Sequence, residues 1–168
     1  MKKNRFTTTQ LAIAGLMIAI TVILSYQNIY LFPPRSGRIT LRFIPMIFSG
    51  ILLGPTLGTI IGGASDPLIY FMTLGSPGMY FPGYMLTNMV IGFFPGLIIG
   101  KNIEKESKLS IILKVALISI LSFAVTIFLD SFWLSVTRGK GFWYYVASRT
   151  LPNLIQMGIT FVALLVLT

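Results

Sequence analysis

The chain has no cysteine, no histidine and only four acidic residues among 168. Without cysteine there is no disulfide, thiolate nucleophile or thiolate metal site. Without histidine there is no imidazole ligand or base, and haem ligation and the usual catalytic triads go with it. No P-loop phosphate-binding sequence is present and no HExxH. A membrane protease or metal-dependent phosphotransferase needs groups this chain lacks. The expectation is therefore no enzyme, no metal and no cofactor. Charge of either sign is scarce as well, 10% of residues with 55% hydrophobic, where soluble domains carry about 25% charged residues. Mean hydropathy is +0.85. A water-soluble domain is excluded. The length allows a single domain, residues 1–168, and a ceiling of about six transmembrane helices at ~20–25 residues each. No signal peptide is expected, because the first apolar run carries no small-residue cleavage pattern.

Six apolar segments are present, at 9–27, 42–53, 56–72, 83–100, 109–136 and 142–168. Thr7, Thr8 and Thr9 offer capping hydroxyls at the start of the first. The second is short for a full span, and Gly54-Pro55 gives a tight reversal after it. Residues 28–41 form a polar connection containing Pro33 and Pro34. Residues 73–82 are a Gly/Pro loop, 101–108 the only dense charge run, and 137–141 a short loop. The predicted architecture is all-α, a bundle of six transmembrane helices with both termini cytoplasmic.

The net charge of +9 would suggest nucleic acid in a soluble protein, but its distribution points elsewhere. Lys2, Lys3, Arg5, Lys101, Lys105, Lys108 and Lys114 fall on the side of the termini. Arg35, Arg38, Arg42, Arg138, Lys140 and Arg149 fall on the other. A chain obeying the positive-inside rule passively does not place so many cations outside. Holding an anion is the simplest reason for them; interfacial snorkelling is the other. No basic helix is long enough for nucleic-acid binding.

Ionisable groups within apolar spans are costly and usually face a cavity or a partner. Here they are Asp66, Asp130 and Arg149, joined by Asn88. At 1.5 Å of rise per residue, Asp66 lies roughly 16 Å above Pro55, Asn88 roughly 9 Å below Pro82, and Arg149 roughly 10 Å below Phe142. Three polar side chains on three helices converge on the outer half. They form either an outward-opening ligand site or an internal pair of Arg149 with Asp66 or Asp130. Gly54, Gly58 and Gly62 recur every fourth residue up to Asp66, and Gly92, Gly96 and Gly100 recur likewise beyond Asn88. Such ridges let helix backbones approach closely, which predicts a closed inner half beneath a polar outer half. Ala12, Gly15 and Ala19 make a third small-residue stripe with no polar residue beside it, suited to helix contact within the bundle or with another subunit. Aromatics crowd the outer side, among them Tyr26, Tyr30, Tyr70, Tyr80, Tyr84, Trp133 and residues 142–145. A membrane aromatic belt has two faces; a one-sided cluster fits a mouth that stacks a planar ligand.

Over its whole length the sequence resembles the substrate-binding S components of energy-coupling factor (ECF) vitamin transporters. The resemblance rests on six spans in so short a chain and on the stripe Ala12, Gly15 and Ala19, where the family pattern is AxxxA. It rests also on Leu41-Arg42-Phe43-Ile44-Pro45 and on Ile51-Leu52-Leu53-Gly54-Pro55. Asp66-Pro67-Leu68-Ile69-Tyr70, Phe81-Pro82-Gly83-Tyr84-Met85-Leu86, Gly92-Phe93-Phe94-Pro95-Gly96 and the Trp133, Phe142-Trp143 and Arg149 region are most like its folate-specific branch. The resemblance implies a subunit of the bacterial cell membrane that captures a vitamin from outside. It docks, through Ala12, Gly15 and Ala19, onto a transmembrane coupling subunit driven by two cytoplasmic ATPases, and topples within the lipid. The connections 28–41, 73–82 and 137–141 would close over the vitamin.

Folate suits the residues chemically. Asp66, assisted by Asn88, can pair with the amino group and ring N–H of a pterin. Tyr70, Tyr84, Trp133 and Trp143 are candidates to stack on its rings. Arg149, Arg42, Arg38 and Arg35 are candidates for its glutamate carboxylates. Another aromatic vitamin (thiamine or riboflavin) remains an alternative. So does a self-contained channel or exporter that uses the glycine ridges to oligomerise, although an ion-coupled exporter would want a glutamate in a span, and Glu104 and Glu106 lie in a connection.

Overall fold

The computed structural model describes residues 6–32, 37–72, 80–99, 107–139 and 141–167, with backbone alone at 28–32 and 37–38. Among the described residues six helices form, within two residues of the expected segments: α1 (Thr8–Ser25), α2 (Phe43–Leu53), α3 (Pro55–Met72), α4 (Pro82–Ile98), α5 (Lys108–Arg138) and α6 (Phe142–Leu167). Thr7 starts α1 with a capping box. Its Oγ1 accepts the Gln10 N–H at 3.3 Å, and Gln10 Oε1 accepts the Thr7 N–H at 3.1 Å. α2 stops at Gly54, whose φ of 89° only glycine adopts without strain, and Pro55 opens α3. Gly139, at φ 71°, caps α5 in the same way.

Most hydroxyl groups inside the bundle bond to their own helices, Ser131 in the longest helix being an exception. Thr21 donates to the Met17 carbonyl, Ser49 to Met46, Ser65 to Gly62, Ser119 to Val115 and Thr126 to Ser122. That pattern suits an apolar surround that offers no water. α1, α5 and α6 are long and apolar enough to cross a membrane, and the protein is a multi-pass membrane protein.

α2 is the shortest of the described helices. Its 11 residues rise only about 16 Å, half of a ~30 Å hydrocarbon core. It survives because it is sheathed. Met46 and Ile47 are completely buried, and α1, α3, α4 and α6 all pack on it. Phe43, Met46, Ile47 and Ile51 form the main core with Ile91, Val115, Ile118 and Leu164. A smaller core joins Ala14 to Leu53, Leu57 and Ile61.

The all-helical expectation needs one amendment. Part of the 28–41 connection is a two-stranded antiparallel hairpin, β1 (Asn28–Phe32) and β2 (Gly37–Thr40). Asn28 pairs with Thr40, Ile29 with Ile39 and Tyr30 with Arg38, and the register is irregular before Phe32 pairs with Gly37. The short strands are hidden in the sequence by the Pro-rich stretch that separates them. Because α2 begins at mid-depth, β2 must descend to meet it. Non-helical backbone at that depth is tolerated only where protein covers it. Ile39 and Thr40 are accordingly buried, and α6 packs on β2.

Candidate functional site

The site begins where a glycine seam ends. A Cβ on Gly58 would collide with the Gly92 carbonyl oxygen, and one on Gly92 with that of Gly58. Gly62 lies equally close to the Asn88 carbonyl, Gly50 to that of Gly92, and Gly96 to the turn at Gly54-Pro55. Backbone touches backbone through α2, α3 and α4, so this half of the bundle is closed as the ridges predict. Gly54 departs from the expectation. Nothing lies near its missing Cβ, and its glycine serves the left-handed turn. Gly100 lies outside the described residues.

One turn beyond Gly62 and Gly92, side chains replace glycine. Asn88 is 1% exposed, and its Nδ2 donates to Asp66 Oδ1 at 2.7 Å. The Arg42 guanidinium approaches the same oxygen at 3.9 Å and lies 5.0 Å from the Phe43 ring centre. All three residues are buried. Arg42 and Asp66 stand twelve residues either side of Gly54, so two helices diverging from one turn carry them to equal height, roughly 18 Å up. Arg42, grouped by sequence with the outer cations, stands level with Asp66. The Tyr80 hydroxyl is enclosed here too. Burial, and then the charge of Asp66, push its pKa above the usual tyrosine value. Tyr70 packs its ring against Tyr80 and Phe71, at 5.2 and 5.5 Å between centres.

A second cluster lies across α4. Arg149 Nη2 donates to Asp130 Oδ2 at 3.1 Å, so the Asp–Arg pair considered for Arg149 forms with Asp130. Trp133 Nε1 donates to Thr87 Oγ1 at 3.2 Å, and its ring meets Phe81 at 5.5 Å. Phe81 also meets Tyr84 edge-on at 6.1 Å, and a Cβ on Gly83 would collide with the Phe81 and Trp133 rings. α4 joins the clusters, with Asn88 facing one and Tyr84 and Thr87 the other.

The structure therefore brings together Asp66, Asn88 and Arg42, places Tyr70 beside them through Tyr80, and groups Tyr84, Trp133 and Arg149 nearby. Trp143 does not join them; it is 76% exposed on the first turn of α6. Arg35 and the side chain of Arg38 lie outside the described residues. Ala12, Gly15 and Ala19 are on the uncovered face of α1, with nothing near the missing Cβ of Gly15. Sequence reasoning passed over Tyr80, Phe81 and Thr87 as site residues, though Thr87 adjoins Asn88. It also passed over the stripe Arg149, Asn153, Gln156 and Thr160, whose spacing of four, three and four marks one face of a helix.

A buried cluster of one carboxylate, one amide and one guanidinium, flanked by aromatics just beyond the glycine seam, is a costly arrangement for an apolar bundle and marks the candidate site of a membrane protein. Over residues 9–168 the sequence matches the family described as "ECF transporter, substrate-specific component". The chain belongs to that family. Among its relatives, "Folate transporter FolT" of Clostridium novyi (strain NT) is 30% identical over 159 residues, which cover 95% of this chain and 85% of that protein. The fold is similar to that of a solved structure described as "Crystal structure of FolT bound with folic acid". Its TM-score is 0.73 at 24% identity, covering 94% of this chain and 90% of the other.

Proposed function

We propose that the chain is the folate-binding subunit of an ECF importer. It captures the vitamin outside and delivers it through a transmembrane coupling subunit powered by two cytoplasmic ATPases. In this reading the single domain crosses the membrane six times with both termini cytoplasmic, and performs no chemistry of its own. The observation that carries the proposal is the buried Arg42–Asp66–Asn88 cluster above the glycine seam, in a family whose members bind substrates, with a relative named for folate. Asp66 offers carboxylate oxygens to the paired donors of a pterin, and Asn88 with Arg42 fixes its orientation. Tyr70, Tyr84 and Trp133 supply ring faces, and Arg149, drawn from Asp130, supplies a cation for a glutamate carboxylate, with Arg35 and Arg38 nearer the mouth. Trp143 is assigned to the membrane interface rather than to the ligand, given its exposure. Ala12, Gly15 and Ala19 form the docking face.

Titration of the purified protein with folate, thiamine, riboflavin and biotin tests this directly. Folate should bind far more tightly than the other three, and the coupling subunit and ATPases should co-purify. Asp66→Asn and Arg149→Ala should each weaken folate. Near-native affinity in both would remove the site assignment, and preference for another vitamin would replace the ligand.

A further inference from the structure

The lower three residues of the α6 stripe, Asn153, Gln156 and Thr160, lie outside the site above and are buried. The Gln156 carboxamide is engaged at both ends. Its Nε2 donates to Thr160 Oγ1 at 3.3 Å, which orients it, and its Oε1 accepts the Thr40 N–H at 2.8 Å. The second bond joins residues 116 apart in sequence and ties the end of β2 to α6. Arg42 follows two residues later. The position of Thr40 thus sets both where the hairpin ends and where the guanidinium facing Asp66 begins.

The same residue carries an opposing term. The Thr40 hydroxyl is enclosed and has no hydrogen-bond partner, a state that disfavours burial of the hairpin end. Beside Gln156 is a cavity of about 20 Å³ where Asn153 and Thr160 meet apolar Phe43, Ile47, Phe123 and Met157, room for a single water. When Thr40 departs, the Asn153 amide and a water admitted to this cavity can serve the Gln156 oxygen, while the Ser119 and Thr126 hydroxyls stay committed to their own helix. One hydrogen bond from the Thr40 backbone to the Gln156 side chain favours the seated hairpin, one unsatisfied hydroxyl opposes it, and a cavity with room for a water lets the exchange reverse.

We infer that Gln156 is a positioning residue that latches the β1–β2 hairpin through the Thr40 N–H, and that the stranded Thr40 hydroxyl keeps this latch releasable. The latch governs how long the ligand stays without touching it. Its effect on ligand residence rests on the vitamin-binding reading; the latch itself does not.

The cysteine-free sequence makes a test direct. The full chain carrying Ile39→Cys, at a site 5% exposed in β2, is placed in lipid nanodiscs without vitamin and labelled with a hydrophilic maleimide. Adding Gln156→Leu should raise the labelling rate about tenfold, the effect of losing one buried hydrogen bond. Adding Thr40→Val should lower it, because the N–H stays and only the unsatisfied hydroxyl is removed. Ile61→Cys, fully buried between α1 and α3, reports on the bundle and should stay unlabelled throughout. With folate, Gln156→Leu should speed dissociation and leave association within about twofold, since the encounter surface is unchanged. Unaltered labelling in Gln156→Leu, faster labelling in Thr40→Val, or an equal rise at Ile61→Cys would each overturn the latch. If the parent fails to bind folate, the vitamin reading fails while the labelling result stands.

Discussion

Along the contact of α3 with α4 two places differ in kind, one where Gly58 faces Gly92 and one where Asp66 faces Asn88. At the first no side chain intervenes and the backbones touch. At the second the contact is a 2.7 Å hydrogen bond between buried polar groups. The pair of helices is therefore a hinge-free seam at one end and an adjustable polar contact at the other. Close backbone packing fixes the helix axes through dispersion and shape. The polar groups then sit at a height and angle they did not have to establish themselves. A binding carboxylate gains from such rigid support, because every ångström of looseness weakens paired hydrogen bonds.

Breaking the seam should have the largest effect. Gly92→Leu sets a branched side chain against the Gly58 carbonyl, and rigid backbone cannot yield as a flexible side chain would. Overpacking of this severity costs about 3 kcal/mol or more, and the expected outcome is loss of folded protein, read by thermal unfolding and by size-exclusion profile. Gly15→Leu is the matched control, since an added Cβ there meets nothing. Equal loss in both variants would mean that helix propensity, and not the seam, governs these positions.

Breaking the polar contact should come next. Asp66→Leu leaves the Arg42 guanidinium buried with its facing carboxylate removed, a change that costs about 3–5 kcal/mol, and folate affinity should vanish with it. The same substitution at Asp130 should be milder, about 1–3 kcal/mol, because the Arg149 side chain is more accessible than that of Arg42 and can turn toward solvent. Thermal unfolding of the two variants side by side checks the ranking. If Asp130→Leu proves the more damaging, the second cluster is the structural anchor and the first the more tolerant site.

A subtler prediction concerns the ring wall between the clusters. Trp133→Phe keeps the ring contact with Phe81 but removes the donor to Thr87 Oγ1. One neutral hydrogen bond contributes about 0.5–1.5 kcal/mol, so folate affinity should fall several-fold without loss of fold, measured by titration. A drop as large as that of Asp66→Asn would place Trp133 in direct contact with the ligand.

The six helices and the glycine ridges were legible in the sequence because both depend on local spacing. Apolar runs bounded by Gly-Pro reversals mark helices wherever they occur, and a four-residue glycine repeat keeps its meaning without knowledge of the partner. Depth was harder. The rise from Pro55 gives Asp66 a height along α3, but Arg42 follows a polar, Pro-containing connection and reads only as one of the outer cations. Equal spacing of Arg42 and Asp66 about Gly54 held the answer, and it becomes visible only once α2 is accepted as a half-length helix. The hairpin and Gln156 were hidden for a related reason. Four-residue strands carry almost no periodicity, and a single glutamine on a long apolar helix acquires its role only from a backbone N–H far away in sequence.

The smallest effect on the protein itself should produce the largest on the transport cycle. α1 packs inward through Ala14, Thr21 and Ser25, leaving Ala12, Gly15 and Ala19 exposed on a face turned away from them. A small-residue stripe facing lipid gives the bundle nothing, because lipid packs equally well against larger side chains; it matters only where another helix must come close. Gly15→Trp or Ala19→Trp should therefore leave thermal stability within about 0.5 kcal/mol of the parent, as expected of surface substitutions. Folate titration should be unchanged, because α1 contributes no residue to either polar cluster. Uptake by cells expressing the complete transporter should collapse, since an indole on that face keeps a partner helix several ångströms away. Binding lost along with uptake would place α1 in the ligand site. Uptake retained in both variants would put the docking face elsewhere on the bundle and leave the stripe to lipid.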